Sequence, residues 1–131
     1  MIRIVVKPTI SFEGIPFGTN KSDVRNVLRN KKNILPKSIK TSDEITDAYE
    51  GFNVYYDIND CAEAIEFYDS SEVLIDGKVY FPGNVRNIKE KFPMLHEDDI
   101  GVVSEVDSIG ICESKGELKT ILFGKKDYFL D

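Results

Sequence analysis

Residues 51–68 read GFNVYYDINDCAEAIEFY, and this stretch predicts a β-hairpin on which the rest of the fold is built. Two runs rich in aromatic and aliphatic side chains, 52–57 and 63–68, flank a turn at Ile58-Asn59-Asp60. Successive side chains of a strand point to opposite sides, so the hairpin is predicted to have a core face and an acidic, aromatic outer face. The core face should carry Phe52, Val54, Tyr56, Ile65 and Phe67, and the outer face Tyr55, Asp57, Ala64, Glu66 and Tyr68.

Two helices are predicted, near residues 20–31 and near residues 84–92. Thr19 or Asn20 can cap the first helix, and Asp23 lies in its first turn, where a carboxylate favours the positive end of the helix dipole. We expect both helices to pack on one face of a mostly antiparallel sheet, which makes an α+β domain. The strands of this sheet are expected at 52–57, 63–68, 108–113 and 118–123, and its core at Val24, Leu28, Val54, Ile65, Phe67, Ile88, Ile111 and Ile121.

Further strands are predicted around this sheet. Asp76-Gly77 is a type I′ turn signal between two short apolar runs, which predicts a second, smaller hairpin. Residues 44–49 are expected to form a strand beside the central hairpin, and residues 128–130 a closing strand. The polar, lysine-rich segment 30–42 is predicted to be a connecting loop.

The two halves of the chain resemble each other in sequence. Phe17-Gly18 followed by Val24-Arg25-Asn26-Val27-Leu28 has a counterpart in Phe81-Pro82-Gly83 followed by Val85-Arg86-Asn87-Ile88. We therefore expect a single domain, 1–131, that contains a tandem duplication of a helix-then-hairpin unit, with repeats at 15–68 and 79–124. The alternative, that any two α+β halves can be aligned this well, stays open.

Composition is that of an intracellular globular protein. At 131 residues with 41% hydrophobic content, the chain is long enough to build one core without cross-links. It has no export signal and no run of about 18 apolar residues, so a soluble, cytoplasmic protein is expected. Cys61 and Cys112 are then predicted to be reduced thiols rather than a disulfide, because the cytosol is reducing.

The net charge of −6 is unevenly distributed along the chain. Residues 1–40 carry nine Lys or Arg against two Asp or Glu, whereas residues 41–76 carry eleven carboxylates and no Lys or Arg. Like charges at this density repel one another, so the basic first quarter, solvent or a cationic partner must offset them. A well-solvated acidic face and a binding site for a basic partner both fit this pattern.

The sequence contains no catalytic or cofactor motif. His96, the only histidine, lies in an acidic segment expected at a helix end and is far in sequence from both cysteines, so neither thiol has a base. Asp57-Ile58-Asn59-Asp60 begins like a calcium loop, but Cys61 and Ala62 stand where a further ligand and the turn glycine belong. We therefore expect no enzymatic activity, no cofactor and no metal.

The first half of the chain resembles a known structural repeat. The resemblance is carried by Ile15, Phe17-Gly18, Asp23-Val24, Val27-Leu28, Val54-Tyr55-Tyr56 and Ala64-Ile65-Glu66-Phe67. This unit is similar to the repeat of β-lactamase-inhibitor-protein-like domains and of small outer-membrane assembly lipoproteins, which pair helices with a curved antiparallel sheet. After the first helix that repeat has Gly-Xaa-Pro, where this chain has Arg29-Asn30-Lys31. In size, acidity and lack of catalytic motifs, the chain also resembles the immunity proteins of bacterial toxin systems, and neither resemblance carries over a site residue.

Two classes of function are left open by these patterns. The first is a small acidic immunity or inhibitor protein that neutralises a basic partner, such as a toxin nuclease, by covering its active cleft, without itself binding nucleic acid or membrane. Its binding residues would be Tyr55, Asp57, Glu66 and Tyr68 at the centre, with Asp43, Glu44 and Asp47 at the rim. The alternative is a small-ligand-binding or enzymatic domain with a pocket between helices and sheet.

Overall fold

Within the residues that the computed structural model describes, 1–41, 45–99 and 101–130, the chain forms two helices and thirteen strands. The helices are α1 (Lys21–Lys32) and α2 (Val85–Lys91). The strands are β1 (Ile2–Lys7), β2 (Ser11–Phe12), β3 (Ile15–Pro16), β4 (Lys37–Lys40), β5 (Ile45–Tyr49), β6 (Phe52–Tyr56), β7 (Ala62–Phe67), β8 (Ser71–Ile75), β9 (Lys78–Phe81), β10 (His96–Asp98), β11 (Gly101–Ser104), β12 (Ile109–Ser114) and β13 (Glu117–Gly124).

The strands are arranged in two sheets. The larger sheet has eight strands in the order β10-β11-β12-β13-β7-β6-β5-β4, and all its pairings are antiparallel. The smaller sheet has the order β3-β2-β1-β8-β9, in which β1 and β8 run parallel and the other neighbours antiparallel. Two helices combined with mostly antiparallel sheets make an α+β fold, as predicted.

The central hairpin is formed by β6 and β7, with Val54 opposite Ile65 and Phe52 opposite Phe67. All five side chains predicted for its core face are buried. Ala64 is also fully buried, although its position in the alternation predicted the outer face. It stands opposite Gly124 of β13, where a side chain would meet Tyr128, so the C-terminal segment covers this part of the outer face.

Each helix begins at an asparagine cap. The side chain of Asn20 accepts a hydrogen bond from the amide of Asp23 at 3.0 Å, as predicted for α1. The side chain of Asn84 accepts one from the amide of Asn87 at 2.8 Å and begins α2 in the same way. These bonds satisfy amide groups that the first turn of a helix leaves without a partner.

A single cluster of buried apolar side chains draws on both helices and both sheets. All eight predicted core residues, from Val24 to Ile121, are buried members of this cluster. The two cysteines are free, as predicted, with Cys112 exposed and Cys61 half-buried. That α2 lies on the same face of the larger sheet as α1 stays a prediction.

The two halves of the chain repeat the same order of elements. The first half runs β2-β3-α1-β4-β5-β6-β7, and the second half runs β8-β9-α2-β10-β11-β12-β13. They meet where β7 pairs with β13: Ile65 stands opposite Phe123, and Phe67 opposite Ile121. Ile65 in β7 is therefore equivalent to Ile121 in β13, and Phe67 is equivalent to Phe123, because each isoleucine faces the phenylalanine of the other strand. The registers thus follow an approximate two-fold symmetry. That a duplication produced this symmetry stays a prediction.

The hydrogen bonds at the two helix starts also correspond. The amide of Lys21 donates to the carbonyl of Asp60, and the amide of Val85 donates to the carbonyl of Gly116, at 2.9 Å in both cases. Each helix start is thereby tied to the turn of the hairpin that follows it, β6-β7 in the first half and β12-β13 in the second. The two turns therefore occupy equivalent places, as the sequence comparison implied.

Three local predictions are wrong. Residues 37–40, expected in a loop, form the edge strand β4, because they pair with β5 from Lys37 opposite Ala48 onward. Residues 128–130 form a turn rather than a strand, since the amide of Tyr128 donates to the carbonyl of Lys125 at 3.0 Å. His96 lies in the edge strand β10 and not at a helix end, because it pairs with Val103.

Candidate functional site

The larger sheet has an outer face that continues from one half of the molecule to the other. Residues that stand opposite each other in paired strands share a face. The registers place the following residues side by side on the outer face of β6, β7, β13, β12 and β11: Asn53, Glu66, Leu122, Gly110 and Val103. The predicted binding face of the central hairpin is therefore only part of a wider surface.

Three of the predicted binding residues lie together on this face, around Asn53. The hydroxyl of Tyr55 donates a hydrogen bond to Glu66 Oε1 at 2.6 Å. The hydroxyl of Tyr68 donates to the carbonyl of Tyr49 at 2.9 Å and lies 3.4 Å from Asn53 Oδ1. Burial, followed by the hydrogen bond to Glu66, raises the pKa of Tyr55 to about 12, so this hydroxyl remains a donor at neutral pH. The rings are held in place before any partner arrives.

Beside Glu66 the outer face carries a shallow groove of about 180 Å³. Its lining is mainly apolar, with Leu122 in the floor and Phe129 above Gly110. A Cβ atom at Gly110 would lie 2.9 Å from Phe129 Cζ, so the absence of a side chain lets the ring lie directly on the strand. The groove thus depends on a strand glycine and on an aromatic ring from the C-terminal turn.

The other end of the groove is acidic. A second pocket of about 380 Å³ shares the lining residues Gly101 and Cys112 with it, and Glu97, Asp98 and Glu113 also line this second pocket. The registers place Asp98 opposite Gly101, on the outer face, and Glu97 opposite Val102, on the core-face side of the edge strand. Asp98 Oδ1 accepts a hydrogen bond from the amide of Gly101 at 3.1 Å, which fixes one carboxylate at this edge of the sheet. The outer-face groove therefore has an apolar centre, with Glu66 at one end and Asp98 beside the other.

Much of the charge in the acidic segment 41–76 is offset within the molecule. Cations from outside the segment form ion pairs with five of its carboxylates: Asp47 with Arg25, Asp60 with Lys21, Glu63 with Lys125, Glu72 with Arg3, and Asp76 with Lys91. Three of these cations belong to the basic first quarter of the chain. The four pairs other than Asp47 with Arg25 are at least partly exposed and add little stability, but they lower the local charge density. The central hairpin therefore carries less uncompensated negative charge than its sequence indicates.

Asp47, predicted at the rim of the binding surface, is instead fully buried. It stands opposite Val54 on the core face, because the alternation that puts Tyr49 in the core also puts Asp47 there. Its carboxylate accepts hydrogen bonds from Arg25 Nε and Nη2 at 2.8 and 2.6 Å and from the hydroxyl of Tyr56 at 2.9 Å. The hydrogen bond to Asp47 raises the pKa of Arg25, and burial raises that of Tyr56. Asp47 cannot contact a partner.

The remaining predicted site residues divide into two groups. Asp57 serves the hairpin turn, since its Oδ1 accepts hydrogen bonds from the amides of Asn59 and Cys61 at 2.8 and 3.0 Å. Asp57 therefore stabilises the turn, and its part in binding stays a prediction. Asp43 and Glu44 lie outside the described residues.

The sequence analysis missed the groove and the basic partner of Asp47. Gly110 lies inside a predicted strand, where an isolated glycine often marks the close approach of another group, and this signal was available. The ring that approaches Gly110 could not be identified, because Phe129 comes from a segment predicted as a strand. Likewise, Arg25 lies on α1, and sequence alone does not place α1 against β5.

The described part of the chain brings together no group of three side chains able to hold a metal ion. Nε2 of His96 lies 2.7 Å from Glu105 Oε1 and its Nδ1 lies 3.2 Å from the carbonyl of Glu97. This histidine is exposed and forms an ion pair when protonated. What the outer face offers chemically is recognition: hydroxyls, carboxylates and a small apolar depression.

Comparison with known proteins returns no assignment. No protein-family model matches the chain, and no curated protein and no solved structure is significantly similar to it. Among the described residues, no helix is both long enough and apolar enough to cross a membrane.

Proposed function

We propose that this chain is a binding protein of the immunity or inhibitor type, which neutralises a basic protein such as a toxin nuclease by covering its active cleft. The observation that carries the proposal is the groove on the outer face. Its apolar centre suits the methylene stem of a lysine or arginine, and carboxylates at both ends suit the charged heads of neighbouring cations. The net charge of −6 would speed encounter with a basic partner.

In this proposal the tyrosines beside the groove supply the contact area. Tyr55 and Tyr68 are half-buried and already hydrogen-bonded, so they lose little rotamer entropy on binding. Glu66 lies between them and the groove and would pair with a cation of the partner. The surface is thus centred on Glu66, in the middle of the sheet, and extends toward Asp98 rather than toward Asp47.

The proposal can be tested by affinity capture from a lysate of the source cells. We expect the wild-type chain to retain a basic protein that elutes with salt and whose nuclease or other toxic activity is inhibited in the complex. The triple variant Tyr55→Ala/Glu66→Gln/Tyr68→Ala should retain less of this basic protein, because the complex dissociates faster. Glu97→Gln/Asp98→Asn/Glu113→Gln should lower the association rate and its salt dependence.

A matched control separates this site from net charge alone. Glu50→Gln/Asp69→Asn/Asp127→Asn removes the same number of negative charges from exposed positions that do not line the groove. It should bind the captured protein with nearly wild-type affinity. Equal losses in this control and in the Glu97, Asp98 and Glu113 variant would show that the groove is not the interface.

A further inference from the structure

A third pocket, the arginine pocket, lies between α1 and the edge strand β4. Its volume is about 410 Å³. Hydrogen-bond donors and apolar groups line it together: Arg25, Asn26, Arg29, Leu35, Pro36 and Ser38. Among the described residues, none that lines this pocket is a carboxylate, and two are arginines. Such a lining favours an anion.

Arg25 is held ready for a ligand by the core. Its Nε and Nη2 atoms bind the two oxygens of Asp47, which is fully buried and which Tyr56 also holds. A guanidinium has five N–H donors, so this pairing leaves the donors of its other edge available. The side chain of Arg25 remains 35% exposed. The buried carboxylate therefore fixes the orientation of an arginine whose free edge belongs to the pocket.

The neighbouring donors are uncommitted. Within the described ranges, the side chains of Asn26, Arg29 and Ser38 form no hydrogen bond or ion pair with the protein. Asp47 offsets the charge of Arg25, whereas that of Arg29 has no such offset. Leu35, which is 72% exposed, lies beside them and provides an apolar wall.

The second half of the molecule shows that the fold does not need this arrangement. The two-fold relation makes Val102 the equivalent of Asp47. In the first half, Asp47 stands opposite Val54, which pairs with Ile65. In the second half, Val102 stands opposite Ile111, which pairs with Ile121, the equivalent of Ile65. Val102 is buried and apolar. A buried ion pair is often no more stabilising than apolar residues of similar volume, and here the pair also fixes Arg25 beside the pocket.

We infer that this pocket binds the phosphate group of a small phosphomonoester, with Arg25 and Arg29 holding its oxygens and Leu35 contacting the organic part. Three terminal oxygens of a phosphate can use more of the clustered donors than the two oxygens of a carboxylate. The inference is independent of the proposed function, since it concerns other residues and a small ligand.

Titration of the full-length protein with phenyl phosphate, followed by amide NMR, tests this inference. We expect saturable shifts for Asn26, Arg29 and Ser38, with inorganic phosphate and benzoate both binding more weakly. Arg29→Gln should weaken phenyl phosphate about tenfold or more, because it removes a charge-assisted pair. Lys89→Gln, a change of the same charge at an exposed site on α2, should leave the affinity unchanged.

Arg25→Lys gives a second, geometric readout. It keeps the positive charge but loses the planar fork, so phenyl phosphate should again bind about tenfold more weakly. Absence of saturable shifts, or an equal loss in Lys89→Gln, would overturn the inference. Tighter binding of benzoate would assign the pocket to carboxylates instead, and tighter binding of a single-stranded oligonucleotide would assign it to a nucleic-acid backbone.

Discussion

The two halves of the larger sheet share a strand order but bury different chemistry at equivalent positions. The first half buries the carboxylate of Asp47 against Arg25, whereas the second half buries Val102. The outer faces of the two halves also differ. The first half presents Asn53 and Tyr55, whereas the second half presents Gly110 and the groove. The same backbone therefore supports two kinds of surface.

The features that both halves share indicate what this architecture requires. Both halves keep an asparagine helix cap, a buried aliphatic position on the helix (Val24 and Ile88), and the phenylalanine of the central strand pair (Phe67 and Phe123). These shared features are needed to form the fold. The features that differ are free to serve binding, and they are the ones on which both proposals rest.

The largest expected effect is the loss of stability when the phenylalanine of either central strand is truncated. Measuring both losses tests whether the two halves contribute equally to the core. Phe67→Ala and Phe123→Ala should each cost about 3–5 kcal/mol, because both side chains are fully buried and their rings pack 6.1 Å apart. Chemical denaturation measures both. The double variant should cost less than the sum, since the rings contact each other. A cost below about 1 kcal/mol for either variant would mean that its half does not share the core.

The next effect concerns the buried ion pair. Asp47→Ala should cost about 3 kcal/mol, because it leaves the Tyr56 hydroxyl without its acceptor and Arg25 without its partner. Arg25→Leu/Asp47→Val, which makes the first half apolar like the second, should recover most of this loss. A double-mutant cycle in urea measures the coupling. If the double variant is no more stable than Asp47→Ala, the ion pair is a requirement of the fold after all.

A smaller effect is expected where the C-terminal turn covers the second half. Gly124 occupies the place that Tyr68 has in the first half, and a Cβ atom there would clash with the side chain of Tyr128. Gly124→Ala should therefore cost about 1–3 kcal/mol through overpacking. Adding Tyr128→Ala should relieve the clash while exposing this part of the outer face. Thermal unfolding compares the variants, and an unchanged stability for Gly124→Ala would show that the turn does not cover the strand.

The smallest effect belongs to His96 and Glu105, a pair at the edge of the second half. Their hydrogen bond raises the pKa of His96 above 6.5 and lowers that of Glu105 below 4.5. The stability due to His96 is fully present below about pH 6.5 and is lost as pH rises through its folded pKa. That due to Glu105 is present above about pH 4.5 and is lost as pH falls through its folded pKa.

The contribution of this pair should therefore be greatest between about pH 4.5 and 6.5 and small, since both groups are exposed. An NMR titration of His96 measures the shift. Glu105→Gln should return the pKa of His96 toward 6.5. A pKa that does not change in this variant would remove Glu105 as its cause.

The comparison also explains which features were predictable from sequence. The hairpin at Val54 and Ile65, the Asn20 cap and the Asp76-Gly77 turn were all predicted, because each depends on residues close together in the chain. In this turn Asp76 and Gly77 have φ values of 52° and 79°, as a type I′ turn requires. Alternation and capping act over a few residues and need no knowledge of the partner.

The sequence by itself therefore determined the α+β class, the core face of the hairpin and the uneven charge. Only the tertiary structure decided that Asp47 meets Arg25 across 22 positions, that Phe129 lies on Gly110, and that β7 joins β13. These contacts depend on how elements that are distant in sequence pack against each other. The alternation of polar and apolar residues in a strand is the same whether the strand faces solvent or a charged side chain from another element. The groove and the arginine pocket arise from such long-range contacts, so neither could be read from the sequence alone.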